Sequence, residues 1–433
     1  MATSGGSGGP GPKILLAKPA AARAEGLGSS GPTGIKLMRD RDDDGGGRRI
    51  PPGSLNLLSD TWDLTPDRYL PLMSADNQEF MVVGVLGPPG AGKSTILNEI
   101  YGFDSSSQGV LPPFNTQTED IRATARHCSV GLELRMCAER IILLDTQPIF
   151  SASVLVDLMR PDGTSNTPVM GGETMSAELA QEIMGLQLGV FLFSVCHVVL
   201  LITEGVDDIS MWRYMRTIEM LKQGIPDPSV VAQGTSATDT SGDKDRNDSL
   251  QDDQIENFAD AVFVHTKLQD ISYTEVKRLE MALSSYFPNP AFNRNSIISY
   301  TVPQFPPPTE WQNMSPHLKG MQPVPKPASN GNVESGSELA PLRKPQKLER
   351  GLNFYVLPLK VPDEVIQNTY ESYYVMLQQL RNQILSLQRR SFAKPMSERD
   401  WLKVLPRVWD LVKKSPVLAD YFKMLQSSGL FRR

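Results

Sequence analysis

Apolar positions along the chain alternate between two rhythms. Short apolar runs, rich in β-branched residues, occupy 80–86, 141–144, 196–203, 259–265 and 352–358. Between them apolar residues recur at helical spacing over 176–192, over 208–222 (Ile209, Trp212, Met215, Ile218, Leu221) and over 273–286. Brief apolar runs bounded by turns predict strands buried on both faces, and the 3.6-residue period predicts amphipathic helices. Alternation of the two predicts an α/β fold with an open, mostly parallel sheet and helices on both faces, its ligand beyond the strands' carboxyl ends. Further strands are expected over 121–133 and 295–301, and a long helix over 363–388. A last helical stretch, 401–425, follows the cap-like Ser397-Glu398-Arg399-Asp400. Its stripe of Trp401, Leu405 and Trp409 predicts docking onto the core rather than a partner surface.

Three segments lack either rhythm. Residues 1–75, 224–256 and 302–350 are rich in Gly, Pro, Ser and mixed charge, too poor in apolar surface to offset the entropy of ordering. They divide the chain into an N-terminal arm (1–75), a domain over 78–300 with an insertion at 224–256, a second insertion at 302–350, and a final strand with helices over 352–433. Inside the arm, Ile14-Leu15-Leu16 between Pro12 and Pro19 forms an apolar island, read as a linear docking motif.

Composition narrows the function. Over 433 residues the net charge is −6 with no long Lys/Arg block, which argues against direct nucleic-acid binding. Three cysteines, Cys128, Cys137 and Cys196, and no signal-peptide pattern predict a cytoplasmic protein. His127, Cys128 and Cys137 lack a second ligand pair at zinc spacing. The apolar run over 188–203 falls short of a spanning helix and carries His197, so it is read as a helix end entering a buried strand, with no membrane span.

One stretch carries specific chemistry. After the first apolar run, Gly87-Pro88-Pro89-Gly90-Ala91-Gly92-Lys93-Ser94 matches G-x-x-x-x-G-K-[ST] at every fixed position, and Thr95 opens a helix-like segment. Glycines let backbone N–H groups approach phosphate oxygens, the lysine reaches the β- and γ-phosphates, and the serine hydroxyl ligates Mg²⁺. The expected ligand is therefore a purine nucleoside triphosphate or diphosphate, ATP or GTP, with Mg²⁺. Asp145, ending the second strong strand, is the expected Walker-B carboxylate. Thr118 or Thr116, in the loop between, is the candidate switch hydroxyl on the metal. Thr266-Lys267, after a later strand, begins the base-reading pattern.

That order is a GTPase's, yet the parts that drive hydrolysis are altered. Where GTPases place a glycine whose N–H meets the γ-phosphate, this chain has Pro148, and Ile149 replaces the water-orienting glutamine. Gln147 is near but out of register, and Gln269 replaces the guanine-reading aspartate, with Asp270 one position late. Discrimination between purines should weaken accordingly. An active GTPase or ATPase switch would need a catalytic group from elsewhere. A small-molecule kinase would need an arginine-rich lid that the sequence lacks.

These residues, together with Leu144-Asp-Thr-Gln-Pro-Ile149 and Phe191-Leu-Phe-Ser-Val-Cys-His-Val-Val199, resemble the SMG-nine family of the nonsense-mediated mRNA decay kinase complex, over 80–223, 259–300 and 352–425. The resemblance implies a P-loop NTPase of G-domain-like fold whose phosphate contacts fall on Gly90, Ala91, Gly92, Lys93, Ser94 and Thr95, with Asp145 on the metal side. It implies a regulatory subunit rather than an enzyme, with no catalytic residue. Such a subunit pairs with an SMG-eight-like G-domain protein and restrains the SMG-one-like phosphatidylinositol-kinase-related kinase, which acts on the Upf-one helicase at terminating ribosomes.

Overall fold

The computed structural model describes residues 56–58, 62–103, 110–159, 175–206, 208–233, 256–292, 298–299, 352–360 and 372–429, all within the unit spanning 49–433. In chain order its elements are β1 (Met81–Leu86), α1 (Lys93–Tyr101), α2 (Glu119–Ala123), β2 (Leu132–Met136), β3 (Ile141–Thr146), α3 (Ala152–Leu158), α4 (Ala177–Val195), β4 (Val198–Glu204), α5 (Ile209–Leu221) and α6 (Pro228–Gln233). They continue with β5 (Asp260–Leu268), α7 (Tyr273–Tyr286), β6 (Phe354–Pro358), α8 (Tyr373–Leu385), α9 (Glu398–Lys413) and α10 (Pro416–Ser427).

The strands form one sheet in the order β2-β3-β1-β4-β5-β6. Only β2 runs antiparallel, with Leu134 opposite Leu144; every other pairing is parallel. This mostly parallel sheet with helices on both faces is the expected G-domain-like fold. All six positions of β1 and of β3 are buried, as a central strand covered on both faces requires. Helices α1 and α8 pack together on one side, and α4 lies on the other with α5 and α9 against it.

Helix α4 is the one described helix long and apolar enough to cross a membrane, but 78% of its apolar window is buried inside the protein. A Cβ on Gly189 would run into the Ile218 and Tyr214 side chains, and the Tyr214 hydroxyl donates to the Gly185 carbonyl at 2.6 Å. The missing side chain of Gly189 therefore sets how closely α5 approaches, and the Gly185 carbonyl anchors it through Tyr214. Helix α9 docks on α4 as expected. Trp401 Nε1 donates to the Val195 carbonyl at 3.0 Å, and the Trp409 ring meets Phe191 edge-on at 5.2 Å.

Several expectations need correction. The strand expected over 121–133 is confined to β2, because Thr118 accepts from the Ile121 N–H and, with Glu119 and Asp120 in the first turn, caps the short helix α2. Of the arm expected over 1–75, residues 56–58 and 62–75 belong to the folded unit, and 1–55 and 59–61 lie outside the described residues. Leu57, Leu58, Trp62, Leu64, Tyr69 and Met73 are buried, and the Leu57 N–H donates to the Leu132 carbonyl at 2.6 Å beside β2. Of the insertion expected at 224–256, residues 228–233 instead form α6, which packs against α9. Of the expected strand 295–301, Ser299 forms a single bridge to Phe354, and 295–297 and 300–301 lie outside the described residues. The expected helix 363–388 is described as α8, started by Ser372 accepting from the Val375 N–H; 363–371 lie outside. Also outside are the Pro12–Pro19 island, 234–255 and 302–350.

Candidate nucleotide-binding site

The loop from β1 to α1 takes its shape from glycine. A Cβ on Gly87 would collide with the Ile202 carbonyl of β4, so only glycine lets β1 end this close to its neighbour. Gly90 and Gly92 hold φ of +76° and +103°, the left-handed region that side chains resist. Lys93 then opens α1, and its ammonium donates to the carbonyls of Gly87 and Pro88, both at 3.1 Å. The lysine thus closes the loop on itself. Burial pulls its pKa down to about 8, and the Asp145 carboxylate pulls the other way.

Asp145 reaches this point from the carboxyl end of β3 and is wholly buried. Its Oδ2 accepts from the Ser94 hydroxyl at 2.8 Å and from the Ser129 hydroxyl at 2.7 Å. Among the described residues its Oδ1 has no hydrogen-bond partner. Burial pushes the carboxyl pKa up, while Lys93 and the two hydroxyls hold it back. An orphaned carboxylate oxygen in the interior costs about 1–3 kcal/mol or more unless a ligand or water meets it. Two hydroxyls and one carboxylate suit Mg²⁺, which takes few protein oxygens and keeps its waters.

Around this point lies a cleft of about 110 Å³. It is walled by Pro89, Gly90, Lys93, Ser94 and Thr95 of the loop, by Asn115 to Gln117 and Arg122, by His127 to Ser129, and by Pro148. That volume is below the roughly 300–1,000 Å³ of a whole small-molecule site, so it suits the phosphates alone. His127 is tied to α3: its Nδ1 lies 2.7 Å from the Ser153 hydroxyl and its Nε2 3.8 Å from Asp157. Burial lowers its pKa, against the pull of Asp157. Burial raises the Cys128 pKa, and the nearby Asp145 and Glu133 carboxylates add to the rise.

The expected phosphate residues, Gly87 to Thr95, and the metal-side pair Ser94 and Asp145 are therefore brought together. Thr118 is not among them. Its hydroxyl caps α2, and the hydroxyl that joins Ser94 on the Asp145 carboxylate is that of Ser129, which sequence reasoning missed. Once β2 starts at Leu132, Ser129 is the hydroxyl residue just before it. Arg122 and His127 were missed too, for they reach the cleft only through the α2 turn. Thr116 lines the cleft wall.

The hydrolysis parts stay altered in space. The Gln147 side chain accepts from the Gly131 N–H at 3.1 Å, which holds it on the β2 side. Ile149 is buried, and Pro148 fronts the cleft without an N–H to offer. At the base side, the Thr266 hydroxyl lies 2.8 Å from the Ala91 carbonyl and 3.0 Å from that of Thr203, tying the two loops together. Lys267, at φ +58°, pairs with Glu204 at 2.6 Å. The Asp270 carboxylate is turned onto its own chain just ahead of α7, accepting from the Ser272 N–H at 2.8 Å and from the Ser272 hydroxyl at 3.2 Å.

No protein-family model matches the chain. It is similar to the nonsense-mediated mRNA decay factor SMG9 of Xenopus laevis, 26% identical over 355 residues, 81% of this chain and 63% of the frog protein. The factor of that name from Salmo salar is 27% identical over 381 residues, 86% of this chain and 67% of its own. That of Caenorhabditis briggsae is 28% identical over 169 residues, 39% of this chain and 41% of its own. The chain thus spans less than two-thirds of the frog relative's length. A solved septin GTPase domain from Chlamydomonas reinhardtii aligns over 79% of this chain and 98% of its own at 10% identity and a TM-score of 0.27, too slight a likeness to add to the topology. The resemblance to the SMG-nine family read from the sequence is borne out by these relatives.

Proposed function

We propose, from the premise that this chain is a relative of the SMG-nine factors, that it is a regulatory and assembly subunit of the protein kinase complex of nonsense-mediated mRNA decay. In this reading its G-like domain holds ATP or GTP, or the diphosphate, with Mg²⁺ and turns it over little or not at all. It pairs with an SMG-eight-like G-domain subunit, and the two restrain an SMG-one-like kinase in the cytoplasm. The pathway is that of the relatives, which are nonsense-mediated mRNA decay factors. The observation that carries the nucleotide is Asp145 Oδ1, a buried carboxylate oxygen without a partner among the described residues, beside an intact phosphate loop.

The backbone of Gly90 to Thr95 would hold the phosphates, Lys93 would exchange its loop carbonyls for phosphate oxygens, and Ser94, Ser129 and Asp145 would surround the metal. When bound, Mg²⁺ would neutralise phosphate charge and order the 115–129 segment. Weak turnover is supported by Pro148, Ile149 and the tethered Gln147, none of which can aim a water at the terminal phosphate.

Phosphate release from ATP and GTP, by wild type and Lys93→Ala, each with and without the SMG-eight-like partner, tests this. The expected result is no release above the mutant, with bound nucleotide retained by wild type and lost by the mutant. Mutant-sensitive turnover of even about 10⁻² per second would make the protein a working switch instead.

A further inference from the structure

Three basic side chains wall the cleft, Lys93, His127 and Arg122, of which His127 has its pKa lowered by burial. Two are engaged. Lys93 is held by the Gly87 and Pro88 carbonyls, and His127 by Ser153 and Asp157. Arg122, on the exposed side of α2, has no ion pair and no side-chain hydrogen bond among the described residues. Arg122 thus lines the cleft with an exposed guanidinium that has no protein partner among the described residues, a charge available to an anion bound there.

Helix α2 is held against the loop. Just ahead of its cap, Gln117 donates Nε2 to the Arg126 carbonyl at 2.9 Å, which closes the turn containing Arg122. Gln117 Oε1 lies 3.5 Å from where a Cβ on Gly90 would stand, so this turn rests directly over the phosphate loop. Pro148 also lines the cleft, at the place in the sequence where a GTPase offers the backbone N–H that senses the γ-phosphate. The sensing donor is missing, and an unpaired guanidinium lines the same cleft.

Resting on the nucleotide reading above, we propose that Arg122 is the residue that recognises the terminal phosphate. A nucleoside triphosphate is told from a diphosphate by a guanidinium on α2 rather than by the backbone after β3. The planar fork of arginine suits two phosphate oxygens at once, a geometry lysine does not reproduce. Since no side chain here aims a water, Arg122 reads the phosphate without promoting its loss.

The test measures equilibrium binding of fluorescent, non-hydrolysable triphosphate analogues and of the diphosphates, in both adenine and guanine forms. The full chain is used as wild type, Arg122→Ala, Arg122→Lys and Lys93→Ala. Arg122→Ala should weaken the triphosphates by about tenfold or more while leaving the diphosphates within about twofold, as loss of one charge-assisted contact predicts. Arg122→Lys should recover only part of that loss. Equal weakening of both nucleotides, or none of either, overturns the role of Arg122 while the nucleotide reading stands. No binding of any nucleotide by wild type overturns both, and equal binding by Lys93→Ala would show that the probes occupy some other surface, which likewise overturns the proposal.

Discussion

At the scale of single residues, the site rests on Lys93 and Asp145, two charges taken out of water together. The lysine's pKa falls from its ordinary 10.5 to about 8. In the unfolded chain it would keep its proton to the ordinary value, so between about pH 8 and 10.5 the unfolded state binds more protons and this group alone makes the free fold more stable as pH rises. Nucleotide binding has the opposite sign, because phosphate oxygens favour the ammonium. Affinity should be level below about pH 8 and fall above it, by up to about tenfold per pH unit, with Lys93→Ala showing no such slope. Binding titrations from pH 7 to 9.5 check this; a level wild-type profile would remove Lys93 from the phosphate contacts. The glycines, Lys93, Ser94 and Asp145 were legible because their chemistry is contiguous or ends a strand. Ser129 was not, since folding brings it to Ser94 across 35 positions of sequence.

Among the elements, α4 sets the spacing of its face of the sheet. Gly189→Ala should destabilise the protein by about 1–3 kcal/mol, as overpacking does, because the added methyl must displace Ile218 and the Tyr214 hydroxyl that bonds Gly185. Urea denaturation of the two proteins decides it, and an unchanged midpoint would show that α5 shifts freely. Elements buried on both faces announced themselves: β1 and β3 are buried at every position, and β4 and β5 at all but Glu204 and the half-buried Lys267 near their carboxyl ends. Helix α2 was misread as strand because it is short, polar and without a buried residue, so no period marks it. Its real signature was the cap, Thr118 followed by Glu119 and Asp120.

On the scale of the whole unit, the segment at 56–73 and the C-terminal helices lock together over α4. Trp62 Nε1 donates to Gln187 at 3.1 Å, Trp409 Nε1 donates to the Trp62 carbonyl at 2.8 Å, and the two indoles meet edge-on at 5.9 Å. Trp409→Ala should therefore cost about 3–5 kcal/mol and loosen both chain ends together. Hydrogen exchange would show protection lost at 57–73 as well as in α9; loss confined to α9 would mean that the ends are independent.

The burial of α4 also sets a hazard during synthesis. The helix is apolar along most of its length, yet Trp401 and Trp409, which cover its C-terminal half, are translated roughly two hundred residues after it. At roughly 5–20 residues per second, that surface leaves the ribosome uncovered for about 10–40 s. A nascent chain carrying such a helix is a natural client for chaperones, and a truncation before α9 would leave it exposed permanently, sending the product to aggregation or degradation rather than to a shortened but usable protein.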